Sequence, residues 1–309
     1  MSEITRRHFF KLSAKMAALM GLGATALPKI AQALEQMAAG TAPILWLQGQ
    51  SCSGCSVSFL DSDEPEPLQV LTRYISLKFH SSLSTATGKT AMRVLNDTIA
   101  AGKYFLVVEG AVPAAMPEAC VVGHEPFTKQ VVRAAQNAQA VIAVGACAAY
   151  GGLPAAENNP TGSMGVPDYL KKQGVQKPTI LLPGCPAHPD WIIGTLVHAL
   201  QFGLPNLDAK GRPQMFFNRS LHDQCQRFSD YERENFAKTF ADEGCFFKLG
   251  CLGPITRADC NLRLWNGGTN TCIKAGAPCI GCASEDFGRK ASFPFYRKNE
   301  LQNKGNIVS

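Results

Sequence analysis

Cysteine thiols are the side chains of this sequence whose number and spacing point to chemistry. Six of the twelve cysteines lie between Cys245 and Cys282, and Cys52 and Cys55 form a CxxC pair near the start of the globular part. A buried cysteine is ordinarily a small hydrophobic residue, but that role does not explain such clustering. Three interpretations are open at this point: iron–sulfur ligation, zinc ligation and disulfide bonding.

The composition indicates a compact globular chain with one large core or two modest ones. The sequence has 309 residues, of which 46% are hydrophobic and 17% are charged, as in folded proteins. The formal charge of +6 is concentrated at the amino terminus, because residues 1–33 carry five basic residues and one acidic residue. The remaining body carries only +2, which gives no case for a nucleic-acid-binding protein.

The amino-terminal segment, residues 1–33, resembles a twin-arginine export signal. Paired arginines stand in the motif TRRHFFK at Thr5–Lys11, an apolar run extends from Met16 to Leu27, and Ala31-Gln32-Ala33 fits a cleavage site. An amphipathic helix or a membrane anchor is the alternative, but the run is short, and no later segment has the roughly 18 apolar residues of a span. We therefore expect a soluble, periplasmic mature chain. This export route carries folded proteins, often with cofactors inserted, so it favours a metal cofactor over a disulfide scaffold.

Alternating strand and helix patterns from Pro43 to about Pro205 predict an α/β domain. Short apolar runs have the composition of buried parallel strands at Ile44–Gln48, Tyr104–Val108, Val141–Val144 and Thr179–Leu182. Helical patterns accompany them at Leu68–Leu77, Thr90–Ala100, Phe127–Asn137 and Trp191–Phe202. The alternation predicts a doubly wound, flavodoxin-like parallel sheet over residues 43–205. Residues 206–309 lack strong periodicity, and we expect there an irregular, cysteine-rich iron–sulfur domain organised by bound cofactors.

Four thiols follow the predicted strands and are expected to converge. Ligands of open α/β sheets bind beyond the carboxyl ends of the strands. The first predicted strand runs into Cys52 and Cys55, the third into Cys147 and the fourth into Cys185. Zinc would satisfy the same count, but zinc ribbons usually carry two local CxxC pairs. One CxxC pair joined by two isolated cysteines is nearer to a cubane iron–sulfur site, so the spacing favours iron–sulfur over zinc.

Five motifs in order resemble the small subunit of nickel–iron hydrogenases. SCSGCS, GACAAYGG and PGCPAHPD match its amino-terminal part, and WNGGTNTC followed by PCIGC matches its carboxyl-terminal domain. Each motif is weak alone, but the ordered set extends over essentially the whole chain. The resemblance implies an electron-transfer subunit, closest in pattern to the nickel–iron–selenium subgroup. A separate large subunit would carry the nickel–iron centre that splits or makes H2, so this chain would contribute no catalytic residue.

The resemblance also implies three iron–sulfur clusters. The proximal 4Fe–4S cluster would be held by Cys52, Cys55, Cys147 and Cys185. The distal 4Fe–4S cluster would be held by His222, Cys225, Cys245 and Cys251. Cys260, Cys279 and Cys282 match the medial site, where Cys272 would add a fourth thiolate. The HxxC spacing argues against an ordinary surface role for the histidine. An imidazole ligand makes a cluster less negative and raises its potential in Rieske centres.

Cys272 departs from the usual family pattern, which has proline at this position and a 3Fe–4S medial cluster. A fourth thiolate predicts a medial 4Fe–4S cluster of lower potential, whereas an unligated Cys272 would leave 3Fe–4S. The oxygen-tolerant branch has extra cysteines around the proximal cluster. This chain has Ser53, Gly54 and Gly152 there, so we expect a plain four-thiolate cubane. Cys120 is left over, and we expect it to be structural.

Two partners follow from the resemblance. Residues around Cys52–Phe59 and Cys185–Trp191 are expected to line a large interface with the large subunit. The redox partner would be a c-type cytochrome, as in hydrogenases of the cytochrome-c3 type. Acidic residues near the distal ligands would steer such a basic protein, namely Asp223, Asp230, Glu232, Glu234, Asp242 and Glu243. We expect no spanning helix in the carboxyl-terminal SFPFYRKNELQNKGNIVS.

Two other functions are the alternatives. An exported binding protein held by disulfides or zinc would leave the Cys52, Cys55, Cys147 and Cys185 pattern unexplained. A relative of a respiratory complex I subunit would share only the first cluster's pattern and would lack this cysteine-rich tail.

Overall fold

Five parallel strands form the central sheet of the chain. The computed structural model describes residues 6–30, 43–63, 65–156 and 158–288. The strands are β1 (Pro43–Gln48), β2 (Ser76–His80), β3 (Phe105–Glu109), β4 (Ala140–Val144) and β5 (Thr179–Leu182). Their order is β2-β1-β3-β4-β5, and every neighbouring pair is parallel. This is the flavodoxin-like order of a doubly wound sheet, so the predicted fold class is confirmed.

The edge strand β2 is the element that the sequence patterns missed. The predicted helix over Leu68–Leu77 was wrong at its carboxyl end: a helical turn at Pro67–Gln69 continues as a π-type turn at Val70–Tyr74, and Ser76 already belongs to β2. An edge strand has a neighbour on one side only, so its sequence need not be a continuous apolar run. In β2 only Phe79 and His80 are buried, and periodicity over so short a segment did not distinguish strand from helix.

Helices cover both faces of the sheet. They are α1 (Arg6–Leu19), α2 (Gly54–Leu60), α3 (Gly88–Ala101), α4 (Phe127–Asn137), α5 (Gly145–Tyr150), α6 (Val166–Lys172) and α7 (Pro189–Gln201). One face of the sheet packs against α3, α4 and α6 through Leu95, Val131 and Leu170. The other packs against α2 and α7 through Phe59 and Ile192. Buried apolar side chains thus fix the strands whose ends carry the thiols.

The segment after α7 has little regular structure. Its α-helices in the described residues are the single turns Gln214–Phe217, Phe228–Glu232 and Cys260–Arg263, and its strand pairing consists of isolated bridges such as Phe236 with Cys245. Two short strand pairs lie outside the main sheet in the α/β part, Val112–Pro113 with Ser163–Met164 and Val121–Val122 with Glu125–Pro126. The apolar residues of the late segment join the core on the α2–α7 face of the sheet.

Helix α1, from the predicted export signal, packs on the body of the protein. Met16, Met20 and Ile30 are buried in the apolar cluster that includes α7, and α1 contacts α7. The predicted cleavage site at 31–33 and the carboxyl-terminal stretch 292–309 lie outside the described residues. Among the described helices, none has the length and apolar character needed to cross a membrane.

Candidate metal centres

The structure groups four thiols beyond the carboxyl ends of β1, β4 and β5. Cys52 and Cys55 flank the start of α2, Cys147 lies in α5, and Cys185 follows β5. The thiols are close enough to interact electrostatically. Cys147 and Cys185 raise the pKa of Cys55, and Cys52 raises the pKa values of Cys147 and Cys185. We call these residues the proximal group. Their convergence is the arrangement that the strand-end argument predicted.

Hydrogen bonds between the connecting turns hold the proximal group together. The Ala146 N–H donates to the carbonyl of Gly184 at 2.8 Å, and the Ser58 hydroxyl donates to the carbonyl of Ala187 at 2.6 Å. Gly145 has a φ of +88°, and a Cβ there would lie 2.5 Å from Cys55 Sγ. Only glycine therefore allows the β4–α5 turn to approach this thiol.

Burial raises the pKa values of the thiols of Cys55, Cys147 and Cys185. It raises the pKa of Cys147 and of Cys185 to about 11, and it raises the pKa of Cys55 well above its usual range, with Glu109 as the second cause. These thiols are therefore protonated at neutral pH without a metal. A bound metal would displace these protons, and its positive charge would compensate the thiolates, whose burial is otherwise costly. The donor set thus fits a thiolate-bound metal group.

A second group of four thiols lines a cavity of about 720 Å³ between the α/β part and the late segment. Its members, the medial group, are Cys260, Cys272, Cys279 and Cys282. Burial is the first cause of a raised pKa at each, to about 11 for Cys282. Cys272 is the residue at the family's proline position. It contributes electrostatically to the raised pKa values of both Cys260 and Cys282.

The remaining four sequence-predicted donors line one narrow cavity. This distal group consists of His222, Cys225, Cys245 and Cys251. Aromatic rings enclose it: His222 packs at 4.4 Å from Tyr231 and 5.1 Å from Phe228, measured between ring centroids. The backbone N–H of Arg227 donates to Cys225 Sγ at 3.4 Å, while its guanidinium lies 4.1 Å from the Phe246 ring.

The medial group contacts both of the other groups. The Cys279 N–H donates to Cys251 Sγ of the distal group at 3.4 Å. On the other side, Cys185 of the proximal group interacts electrostatically with the Cys282 thiol, and Cys185 also lines the medial cavity. The three groups therefore form a series in which the medial group is the link.

A buried polar network that sequence reasoning missed joins α7 to the medial group. Trp191 Nε1 donates to Asp259 Oδ1 at 2.7 Å, and Arg263 forms ion pairs with both Asp259 and Asp190. The His188 ring interacts with the Leu264 carbonyl at 2.7 Å. Since Asp259 precedes Cys260, this network fixes the medial thiols against the PGCPAHPD segment. The residues of that motif gave no signal of their partners, which lie about seventy positions later.

Two further predictions are corrected or limited by the structure. Trp191 and His188 are buried within the chain, Trp191 completely, so the expectation that the Cys185–Trp191 segment lines a subunit interface was wrong for them. Val57, by contrast, is 63% exposed and Leu60 lies beside it at the surface. Cys120 packs with the α3–α4 layer, and only burial raises its pKa, which fits a structural residue.

All twelve cysteines are free thiols in the structure. Within the described residues, no three His, Cys, Asp or Glu side chains surround one point closely enough for a single metal ion. Zinc would need its ligand atoms within about 2.3 Å of a common point. The medial donors instead line a cavity of about 720 Å³, which has room for a group of several atoms.

Comparison with family models divides the chain into two parts. Residues 52–199 match a model described as the 20 Kd subunit of NADH ubiquinone oxidoreductase. Residues 217–296 match a model described as the carboxyl-terminal part of the NiFe/NiFeSe hydrogenase small subunit. The two matches cover the proximal group and the other two groups, respectively.

Whole-length relatives and solved structures agree. The chain is 41% identical to the periplasmic [NiFeSe] hydrogenase small subunit of Desulfomicrobium baculatum, over 95% of this chain and 99% of the relative. It is 40% identical to the uptake hydrogenase small subunit of Azotobacter vinelandii, over 94% and 82%. The structure matches the D. baculatum [NiFeSe] hydrogenase with a TM-score of 0.79 at 41% identity, covering 82% of this chain and 98% of that one. The [NiFeSe] hydrogenase of Desulfovibrio vulgaris Hildenborough gives 0.78 at 42% identity, covering 82% and 96%.

Proposed function

The chain belongs to the small-subunit family of nickel–iron and nickel–iron–selenium hydrogenases, and we propose that it relays electrons through three iron–sulfur clusters. Small subunits of this family carry iron–sulfur clusters and pair with a large subunit. The relay would run between the nickel–iron site of that subunit and an external carrier during reversible H2 oxidation. The observation that carries the proposal is the series of contacts from the proximal through the medial to the distal group.

Each thiol group would hold one cluster. The proximal ligands are Cys52, Cys55, Cys147 and Cys185; the medial ligands are Cys260, Cys272, Cys279 and Cys282; the distal ligands are His222, Cys225, Cys245 and Cys251. A bound cluster supplies one-electron chemistry at a potential set by its type, charge, hydrogen bonds and exposure. The chain's own contribution is to bury the ligands, to hold neighbouring groups in contact and to surround them with a fixed polar environment.

Cys272 supports a four-iron medial cluster. Its thiol lines the same cavity as Cys260, Cys279 and Cys282, and it interacts with two of them. Four thiolates can bind all four iron corners of a cubane. The medial cluster is therefore 4Fe–4S in this proposal.

The two ends of the series would face different partners. At the proximal end, exposed Val57 and Leu60 follow Cys52 and Cys55 and offer an apolar surface to the large subunit. At the distal end, Asp230 and the exposed Asp242 lie near the ligands. This acidic surface suits a basic carrier such as a c-type cytochrome.

We place the mature protein in the periplasm, exported by the twin-arginine route. A relative of nearly the same length carries the name of a periplasmic hydrogenase, and TRRHFFK supplies the paired arginines. Replacing Arg6 and Arg7 together by lysine should retain the precursor in the cytoplasm. Normal periplasmic accumulation of this variant would contradict the assignment.

Iron content of the purified two-subunit complex tests the ligand assignment. Cys147→Ser, Cys245→Ser and Cys260→Ser should each reduce the iron and the visible absorption, because each removes a ligand from a different cluster. Cys120→Ser is the matched control and should retain both. Equal iron in the control and in all three ligand variants would overturn the proposal, as would H2 turnover by the isolated, nickel-free small subunit.

A further inference from the structure

Helix α1 docks on the body of the protein through one apolar side. Met16 is fully buried, Met20 is 3% exposed, and Ile30, further along the chain, is fully buried. All three belong to the apolar cluster that includes side chains of α2 and α7, and α1 contacts α7. The opposite side of the helix, which carries Ala14 and Ala18, is exposed. This division is the pattern of an amphipathic helix that covers an apolar surface.

Apolar burial, more than charge, holds α1 in this place. Lys15 Nζ lies 3.9 Å from Asp63 Oδ2, but the two side chains are 43% and 67% exposed, and so exposed an ion pair contributes little. A helix of 14 residues is marginally stable in water on its own. The order of α1 therefore comes from its contact with the body of the protein, and loss of that contact would release the helix.

The surface that α1 covers borders the surface proposed for the large subunit. Asp63, which α1 contacts through its ion pair, follows α2 in the chain and lies beside Gly267, where a Cβ would be 3.5 Å from Asp63 Oδ2. The neighbouring Asn266 lines the medial cavity together with Val57 of α2. Val57 and Leu60 are the exposed apolar residues of that helix. The covered and the exposed apolar surfaces are thus continuous around the end of α2.

Removal of α1 would uncover this apolar surface. Cleavage at the predicted site, residues 31–33, would take away α1 and Ile30 together, and the side of α7 that they cover would then face solvent. Large exposed apolar patches are rare on soluble monomers and mark places where a partner binds. Continuity with Val57 and Leu60 favours the large subunit as that partner, because one extended interface would cover both surfaces.

We propose that α1 and the large subunit compete for this surface, so that the export helix of the precursor stays docked until the large subunit displaces it. This inference rests on the proposed function, which supplies both the partner and the export role of α1. The coupling is reciprocal: binding of the large subunit releases α1, and release of α1 strengthens binding. Since Arg6 and Arg7 begin α1, pairing of the subunits would free the export motif, and export would follow assembly.

Hydrogen exchange of the full-length precursor, alone and paired with the large subunit, tests the displacement without any substitution. Peptides from residues 6–30 should be protected in the free precursor and should exchange at least about tenfold faster in the complex, because a released helix opens readily. Peptides from β3 should exchange equally in both and serve as the internal control. Equal protection of residues 6–30 in the two samples would overturn the inference.

Two double variants of the precursor test the competition itself. Met16→Asp with Met20→Asp places charges on the buried side of α1, and Ala14→Asp with Ala18→Asp places the same charges on the exposed side. The first should bind the large subunit about tenfold more tightly than wild type, and the second should bind as wild type does.

Equal affinities of the two double variants would overturn the inference. Dimerisation of the Met16→Asp, Met20→Asp precursor in place of tighter pairing would do the same, because it would assign the surface to a second copy of the chain. The exchange comparison remains the test if this variant fails to load iron. A wild-type precursor that does not pair with the large subunit would instead refute the proposed function.

Discussion

The α/β part (residues 43–205) and the late segment (206–288) hold their proposed metal donors in different ways. The first supplies four thiols from turns between hydrogen-bonded elements, above a sheet whose strands β3 and β4 are buried along their whole length. The second supplies eight donors from loops, single helical turns and isolated bridges. Regular structure positions the proximal group without any metal, whereas we expect the order of the late segment to depend on the clusters that its donors are proposed to bind.

Removal of the clusters should therefore affect the two regions very differently. We expect the apo chain to keep β1, β3 and β4 protected from hydrogen exchange, while peptides covering Cys225–Cys282 exchange nearly completely. The physical reason is that metal binding supplies folding free energy where little secondary structure does. Mass spectrometry of exchanged apo and holo protein measures this. Comparable protection of both regions in the apo chain would remove the distinction.

Arg263 is expected to be the main polar link between the regions. Its side chain is 11% exposed, and its guanidinium pairs with Asp259 of the late segment and Asp190 of α7. Arg263→Met would leave two carboxylates facing each other without a cation, at a cost of about 3–5 kcal/mol. Denaturant unfolding of the holo complex provides the measurement. Arg233→Met, at an exposed position, is the control and should change stability by less than about 0.5 kcal/mol.

Cys272→Pro tests the medial group at one iron atom. Proline has no donor atom, so one corner of the cluster should lose its protein ligand and its iron. The oxidised complex should then show the electron paramagnetic resonance signal of a three-iron cluster at about one spin per complex, and the medial potential should rise. Cys120→Ser should show no such signal. A stoichiometric three-iron signal in anaerobic wild type would mean that Cys272 is not a ligand.

The smallest effect is expected at a surface ion pair within the late segment. Lys210 Nζ and Glu285 Oε1 are 2.8 Å apart, but the two side chains are 50% and 46% exposed. Lys210→Ala should lower the free energy of unfolding by less than about 1 kcal/mol at low salt, with no difference at high salt, because exposed pairs are screened. A loss as large as that of Arg263→Met would show that exposure does not distinguish the surface ion pair from the buried one.

Local pattern was sufficient for much of the architecture. Strands β1, β3, β4 and β5 were predicted within about one residue of their bounds, because a strand buried on both faces must be a continuous apolar run. Helix α4 was predicted at its observed bounds, and the ordered cysteine motifs indicated the family. These features depend on residues close together in the chain, and their physical cause is the periodicity of one element or the geometry of one turn.

Tertiary structure alone decided the environment of the donors. It placed Glu109 under Cys55, closed the Trp191–Asp259–Arg263 network, buried Trp191 and set the medial group in contact with the other two. It also made Ser76–His80 an edge strand by pairing it with β1. Each of these outcomes joins residues roughly thirty to a hundred positions apart, whose side chains reveal no partner until the sheet and its connections bring them together. Burial then shifts the pKa values of the groups in these contacts, and the sequence by itself does not reveal such shifts.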